Sequence, residues 1–454
     1  MSKSIRRRSP MNSRSDSPLI PTNKSSLRPQ LVALALLATL LNCRIGQAAD
    51  WPAWRGPHGN GITSEPSGWN GQTWIAEEPT WTAQTAQGES SPIIVGEQVF
   101  VFGWADGNDV ISALNAASGE TRWRQSYPSP GRGRHAVGDL NLYIEGPIST
   151  PTYDAESKLL FTLGVDGALN CWDTAHGGAK VWAFNLYDQF KAPQRPNTGG
   201  GGVRDYGYTT APFVYKDLLL VEVGAPNTGT LMAFDKGTGG KPLGTPTWIS
   251  EHQDHAGHTG SPVLWPLEGI PAVAVMTINE LLVARMDTGR TVATYPYNSR
   301  MGANVTSPSI WQTYAVLSNH FCPSNDLVQF ANGQIERVAD APHTEVGIPV
   351  FHDGRVYRSS GRLECSLLKD NRLEPQWEGA LLGSEGTVIL TGDDKLIAYG
   401  RKRLYLYTTQ GELLAELRGM PGGWPHPALA NGRLVIKDAK GELRCYRTTA
   451  GEES

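Results

Sequence analysis

Eight times along the chain a short apolar strand leads through a polar turn into a second strand and then into a glycine-containing turn. The clearest copies begin near Val99 (VFVFGWADGNDVISALNAASGETRW), Leu159 (LLFTLGVDGALNCWDTAHGGAKVW) and Leu218 (LLLVEVGAPNTGTLMAFDKGTGG). Weaker copies begin near Ala272, Tyr314, Val356, Leu396 and Leu434. A unit of short strands recurring at roughly 40–60 residues predicts a β-propeller, one four-stranded sheet per blade. A second signal gives the same count. A small or β-branched residue precedes proline just before most units: Ser91-Pro92, Thr150-Pro151, Ala211-Pro212, Ser261-Pro262, Ser307-Pro308, Ile348-Pro349 and, with histidine, His426-Pro427. The seventh copy has Thr387-Val388 in that place. Proline is tolerated at the first residue of a strand, where its missing N–H lies outside the ladder. The fold class expected is therefore all-β, an eight-bladed β-propeller of four-stranded antiparallel blades.

The repeated motif supplies strands two and three of each blade. Trp123, Trp182, Trp248 and Trp377 then fall on fourth strands, where an indole packs between neighbouring sheets. The last unit has three strands only, and the segment 79–84 (PTWTAQ) reads as a fourth strand without a blade. It is expected to complete blade 8 and close the ring, which removes exposed sheet edges. The organisation predicted is a leader over 1–48, an arm over 49–78 that runs across the outside, and a propeller over 79–454.

The leader differs in kind. Arg6, Arg7, Arg8, Arg14, Lys24 and Arg28 precede an 11-residue apolar run, Leu31 to Leu41, followed by the small-x-small triplet Gly46-Gln47-Ala48. This predicts a secretory signal peptide, with Met11 an alternative start to Met1. The run is too short to span a bilayer, and no second one follows. An exported chain is implied, periplasmic or extracellular after cleavage. Removing residues 1–49 takes eight of the 40 Lys/Arg and one of the 44 Asp/Glu, leaving 32 basic and 43 acidic residues. A formal charge of −11 disfavours nucleic acid as a partner. Cys171, Cys365 and Cys445 occupy one slot of the repeat that Ala113 and Ala233 fill elsewhere. On separate blades they are too far apart to bridge, so they read as small buried apolar residues. Cys322 lies in an irregular stretch.

The apolar strand, the Asp-Gly turn, Leu-x-Ala-Leu-Asp and Thr-Gly followed by Trp resemble the quinoprotein-like (PQQ-like) propeller repeat. That repeat is shared by pyrroloquinoline-quinone alcohol dehydrogenases and by the outer-membrane assembly lipoprotein propeller. The opening Asp50-Trp51-Pro52-Ala53-Trp54-Arg55-Gly56-Pro57 is similar to the start of secreted planctomycete propellers, as are Gly146-Pro147 and Tyr206-Gly207-Tyr208. The resemblance covers residues 50–447. It implies a binding or scaffold module, with a protein or extracellular polymer as partner and a monomeric state. The alternative it implies is a quinone- or metal-dependent oxidoreductase with the cofactor in the central channel. Those dehydrogenases hold calcium with Glu, Asn and Asp and cover the quinone (PQQ) with a vicinal disulfide. No two cysteines are adjacent here, and the calcium ligands find no residue-by-residue match. No catalytic residue is assigned, and no cofactor is expected.

Two places carry candidate chemistry. Glu251-His252-Gln253-Asp254-His255-Ala256-Gly257-His258 leads into blade 4. Its His252, Asp254, His255 and His258 are suitable ligands for zinc, copper or nickel if the loop converges them. A solvated polar loop is the plainer reading. Long insertions on a rigid scaffold are where function concentrates, and blades 1–4 carry two, 129–146 and 190–209. Arg132, Arg134 and His135 on the first, with Arg204, Asp205 and Tyr206 on the second, would form a mixed-charge rim for an anionic or sugar ligand. Asp173, Asp235 and Asp287 precede turn glycines and read as turn residues.

Overall fold

The computed structural model describes residues 49–130, 146–193, 207–257, 260–299, 304–359 and 361–448. The chain divides into two units, 1–45 and 46–454, and all that follows concerns the second. The leader lies outside the described residues.

Eight four-stranded antiparallel sheets form, each from consecutive strands except the last. The second strand of each begins where the repeat copies begin: Gln98–Ala105, Leu159–Leu163, Leu218–Ala225, Ala272–Met276, Tyr314–Leu317, Arg355–Arg358, Lys395–Gly400 and Arg433–Lys437. Leu159–Leu163 and Ala272–Met276 are buried at every residue. Such continuous apolar runs are what a sheet covered on both faces requires. Outer strands carry more exposed positions, as in Thr121–Pro128. Prolines 92, 151, 212, 262, 308, 349 and 427 each sit one residue before an innermost strand. Among the described residues, no helix is long and apolar enough to cross a membrane.

Blade 8 takes its fourth strand from the front of the chain. Trp81–Gln84 pairs antiparallel with Glu442–Arg447, Trp81 opposite Cys445 and Gln84 opposite Glu442. The core lies between blades rather than within them. One cluster joins blades 1 and 2 through Phe100, Phe102, Leu160 and Trp172, and another joins blades 2 and 3 through Phe161, Leu163, Val221 and Phe234. The thinnest, between blades 5 and 6, has four buried apolar residues: Val316, Leu327, Phe351 and Val356.

The cysteine slot and the tryptophans are one device. Trp123, Trp182, Trp248, Trp377 and Trp81 stand opposite Ala113, Cys171, Ala233, Cys365 and Cys445. Each indole lies on a glycine of the next blade's last turn: Gly178, Gly239, Gly289, Gly411 and Gly119. A Cβ on Gly289 would stand 2.4 Å from Trp248. Four of the five indoles also donate to a carbonyl of that turn, as Trp81 does to Ala116 at 2.9 Å and Trp182 to Lys236 at 3.1 Å. The exception, Trp123, has a buried indole nitrogen without a partner among the described residues. In blade 2 the matching turn is wound into the 3-10 turn Thr174–His176, capped by Asp173. The slot must be small because a ring stands opposite it. The four cysteines among the described residues are free, three of them buried.

Of the turn aspartates, Asp173 accepts from Ala175 N, and Asp235 accepts from Thr238 N and Oγ1. Asp287 instead clasps Arg285.

Candidate functional site

The axis of the ring is the first place to look for a site, because inner strands and their approaches converge there. The residues before the prolines form a girdle around it. Ser91 N donates to Thr150 Oγ1, His426 N to Ser91 Oγ and Ala211 N to Ser261 Oγ, while Ser307 Oγ donates to Ser261 O. Each bond links neighbouring blades, which is why Ser91, Thr150, Ser261 and Ser307 are small and hydroxylic.

Inside the girdle runs the arm. The expectation that it crosses the outside is corrected here. Trp51 exchanges both backbone hydrogen bonds with Ile94, on the innermost strand of blade 1. Tyr153 N of blade 2 donates to Pro52 O. Arg55, 2% exposed, donates to Ile348 O and Pro349 O at the start of blade 6, at 3.1 and 3.0 Å. Burial lowers its pKa to about 9. The Trp54 ring lies 4.4 Å from that of His426 at the approach to blade 8. A Cβ on Gly59 would meet Pro262 O of blade 4 at 3.5 Å. The chain returns beside blade 7, where Leu390 N donates to Gly61 O and Thr63 N to Leu390 O. Gly61 has no room for a side chain: a Cβ would lie 2.8 Å from Arg55 and 3.1 Å from Val388 O. Glu65 then accepts from Gly432 N of blade 8, and Ser67 donates to Asp393 of blade 7. Residues 51–63 thus occupy the channel and touch inner parts of blades 1, 2, 4, 6, 7 and 8. An outside course fails physically because Trp51 and Arg55 bury their polar groups only against unpaired inner-strand backbone. His426 is held down to about 3 by burial and then by Arg55.

At the approach to blade 4, His252 Nε2 donates to Glu280 at 2.8 Å, and its Nδ1 lies 2.8 Å from Thr230 Oγ1. Asp254 accepts from Asn279 N and Nδ2, Thr277 Oγ1 and His255 N. His255 turns away to line a small cleft with Tyr187, Tyr208 and Ala256. Thr230 Oγ1 thus meets the His252 ring and the Asp254 backbone, while the Asp254 carboxylate is held by Thr277 and Asn279 and His255 lies apart. His258 lies outside the described residues. Among the described residues, no three His, Cys, Asp or Glu side chains gather as a metal-holding group.

The rim residues Arg132, Arg134, His135, Arg204, Asp205 and Tyr206 also lie outside the described residues. Beneath the root of the first insertion are two carboxylates that the sequence reading passed over. Asp109 is fully buried, and Asp166, also buried, takes a hydrogen bond from Ser129 Oγ at 3.2 Å. Burial, and then Asp109, push the Tyr127 phenol well up. A charged residue, Asp109, at the second position of the third strand Asn108–Asn115, directly before the apolar pair Val110-Ile111, was the available signal.

Comparison with known proteins comes down to fold and family. The family model described as "Outer membrane protein assembly factor BamB" matches residues 107–373. Among solved structures, BamB from Moraxella catarrhalis is similar at 13% identity over 83% of this chain and 99% of that one, with a TM-score of 0.55. The computationally designed Ika8 protein is similar at 12% identity, over 82% and 99%, with a TM-score of 0.54. A europium-containing methanol dehydrogenase is similar at 12% identity, over 90% and 99%, with a TM-score of 0.59. At these identities the likeness is one of fold. No curated protein matches the chain.

Proposed function

The chain belongs to the outer membrane protein assembly factor BamB family, whose model spans more than half of it, and from that membership we propose that it is an exported, non-catalytic propeller that binds protein partners. The observation that carries this reading is the arm. A quinone-dependent propeller needs its central channel for cofactor and substrate, whereas here residues 51–63 fill it with Trp51, Trp54 and buried Arg55. The two places that most resemble chemistry, Asp254 and His252, already have protein partners. A rigid ring with its axis filled presents its faces, and a binding surface is what remains. The contact face in this reading is the one from which the insertions 129–146 and 190–209 leave. Extracellular polymer is the second class of partner that such a face would serve.

The test uses full-length protein from an exporting host. After equilibration with pyrroloquinoline quinone and calcium, then dialysis, the expected spectrum is that of protein alone. A photo-crosslinker at exposed Lys191, on the insertion face, is expected to yield one discrete adduct that the same probe at exposed Val181 does not. One retained quinone per chain with alcohol-dependent dye reduction would overturn the proposal. So would stoichiometric transition metal lost in His255→Ala.

A further inference from the structure

On the opposite face, formed by the first turns of the blades, a polar cleft of about 340 Å³ opens across blades 5, 6 and 7. That volume is at the lower end of ligand-sized pockets, roughly 300–1,000 Å³. Trp311, half-buried at the end of the innermost strand of blade 5, forms one wall. Its ring packs on Phe351 at 5.7 Å, which fixes it in place. His352 ends the innermost strand of blade 6 and Asp353 follows in its first turn, Asp394 comes from that of blade 7 and Gln410 from blade 7's last turn. Tyr357 lines the cleft while only 2% exposed, and its hydroxyl makes no hydrogen bond among the described residues. Burial raises its pKa most, followed by Cys365. Arg355 opposes the rise, and Asp394 and Asp353 add to it. The phenol is thus within electrostatic reach of three cleft charges.

These charges are not consumed by one another. Among the described residues, Asp353, Arg355 and Asp394 form no ion pair, although Arg355 and both carboxylates line the same cavity. Solvated surface charges are common, but these converge on a concavity with an aromatic wall and a buried phenol. The combination selects a ligand class. A guanidinium, two carboxylates, an amide and a phenol offer donors and acceptors together, which suits vicinal hydroxyls. An indole beside them suits the C–H face of a ring. Two carboxylates against one guanidinium disfavour a polyanion, and the described residues hold no metal-ligating group of three.

We propose that this cleft binds a neutral saccharide, its ring against Trp311 and its hydroxyls shared among Asp353, Arg355, Asp394 and Gln410. The inference rests on the cleft alone and holds whether or not the propeller binds protein partners on its other face.

The test begins with an array of neutral gluco-, galacto- and N-acetylhexosamine oligosaccharides, with sulfated counterparts alongside. The best neutral binder is then titrated calorimetrically into the full chain. Trp311→Ala and Asp394→Asn are each expected to weaken binding at least tenfold. Gln410→Ala, at an exposed turn position, is expected to weaken it at least threefold. Unfolding midpoints of the variants are measured alongside. No neutral ligand on the array, preference for sulfated sugars, or affinity unchanged in both Asp394→Asn and Gln410→Ala would each overturn the proposal.

Discussion

The joint between the ends of the ring can be measured by a double-mutant cycle at Trp81 and Gly119. Trp81 is 8% exposed, lies on Gly119 and donates to Ala116 O at 2.9 Å. Trp81→Ala removes a buried indole, a loss of about 3–5 kcal/mol, and leaves the Ala116 carbonyl buried without its donor. Gly119 has φ of 75°, and a Cβ there would stand 2.6 Å from the Trp81 ring. Gly119→Ala therefore costs about 1–2 kcal/mol for the left-handed backbone and about 1–3 kcal/mol for the overlap. With the indole gone the overlap vanishes and only the backbone cost remains. The two substitutions are thus expected to be less than additive by about 1–3 kcal/mol. Against a total stability of about 5–15 kcal/mol, each single change is easily resolved. Urea unfolding followed by circular dichroism is the assay. Trp424→Ala, at a 41%-exposed tryptophan, serves as the control and is expected to stay within about 0.5 kcal/mol. Additivity within about 0.5 kcal/mol would refute the claim that the indole rests on this glycine.

Acid is expected to loosen the arm. His426 is held near 3 when folded against an ordinary value of 6.5, so the unfolded chain takes up the proton first. Stability is then lost as pH falls from 6.5 towards 3, by at most about 1.4 kcal/mol per pH unit. His426→Asn should flatten that dependence in a pH series of thermal midpoints. Burial pushes the Cys365 thiol to about 11 and that of Cys445 to about 12. A thiol reagent at pH 8 should therefore react with partly exposed Cys322 first, and with Cys171, Cys365 and Cys445 only in urea. Amides of Val350–His352, at the thin seam between blades 5 and 6, should exchange faster than those of Leu218–Ala225, between blades 2 and 3. Equal protection in deuterium exchange would contradict that ranking.

What the sequence disclosed was whatever repeats. Proline at the head of seven innermost strands, with Thr387 marking the remaining one, and the apolar runs of strands two and three gave the same count, and the structure has that count. The small slot at 113, 171, 233, 365 and 445 was visible as a pattern, and its cause, an indole opposite, was not. The arm was misplaced because it has no periodicity. Its meaning lies in pairs such as Arg55 with Ile348, far apart in the chain. The histidine-rich stretch looked like one site because three imidazoles are close in sequence. In space His252 turns to Glu280 and His255 to the cleft beside Tyr208. The cleft at Trp311 has no local motif, since three blades each supply a part.

The filled axis has a consequence for the order of events in folding. Residues 51–67 leave the ribosome before any blade does, yet several of the groups they dock on, at Ile348, Leu390, His426 and Gly432, come late. The arm cannot be fully seated until nearly the whole chain exists, and the ring-closing strand Trp81–Gln84 follows it. Such high contact order slows folding. The arm is tethered early to blades 1 and 2 through Ile94 and Tyr153, and its remaining contacts are fastened only by the last blades.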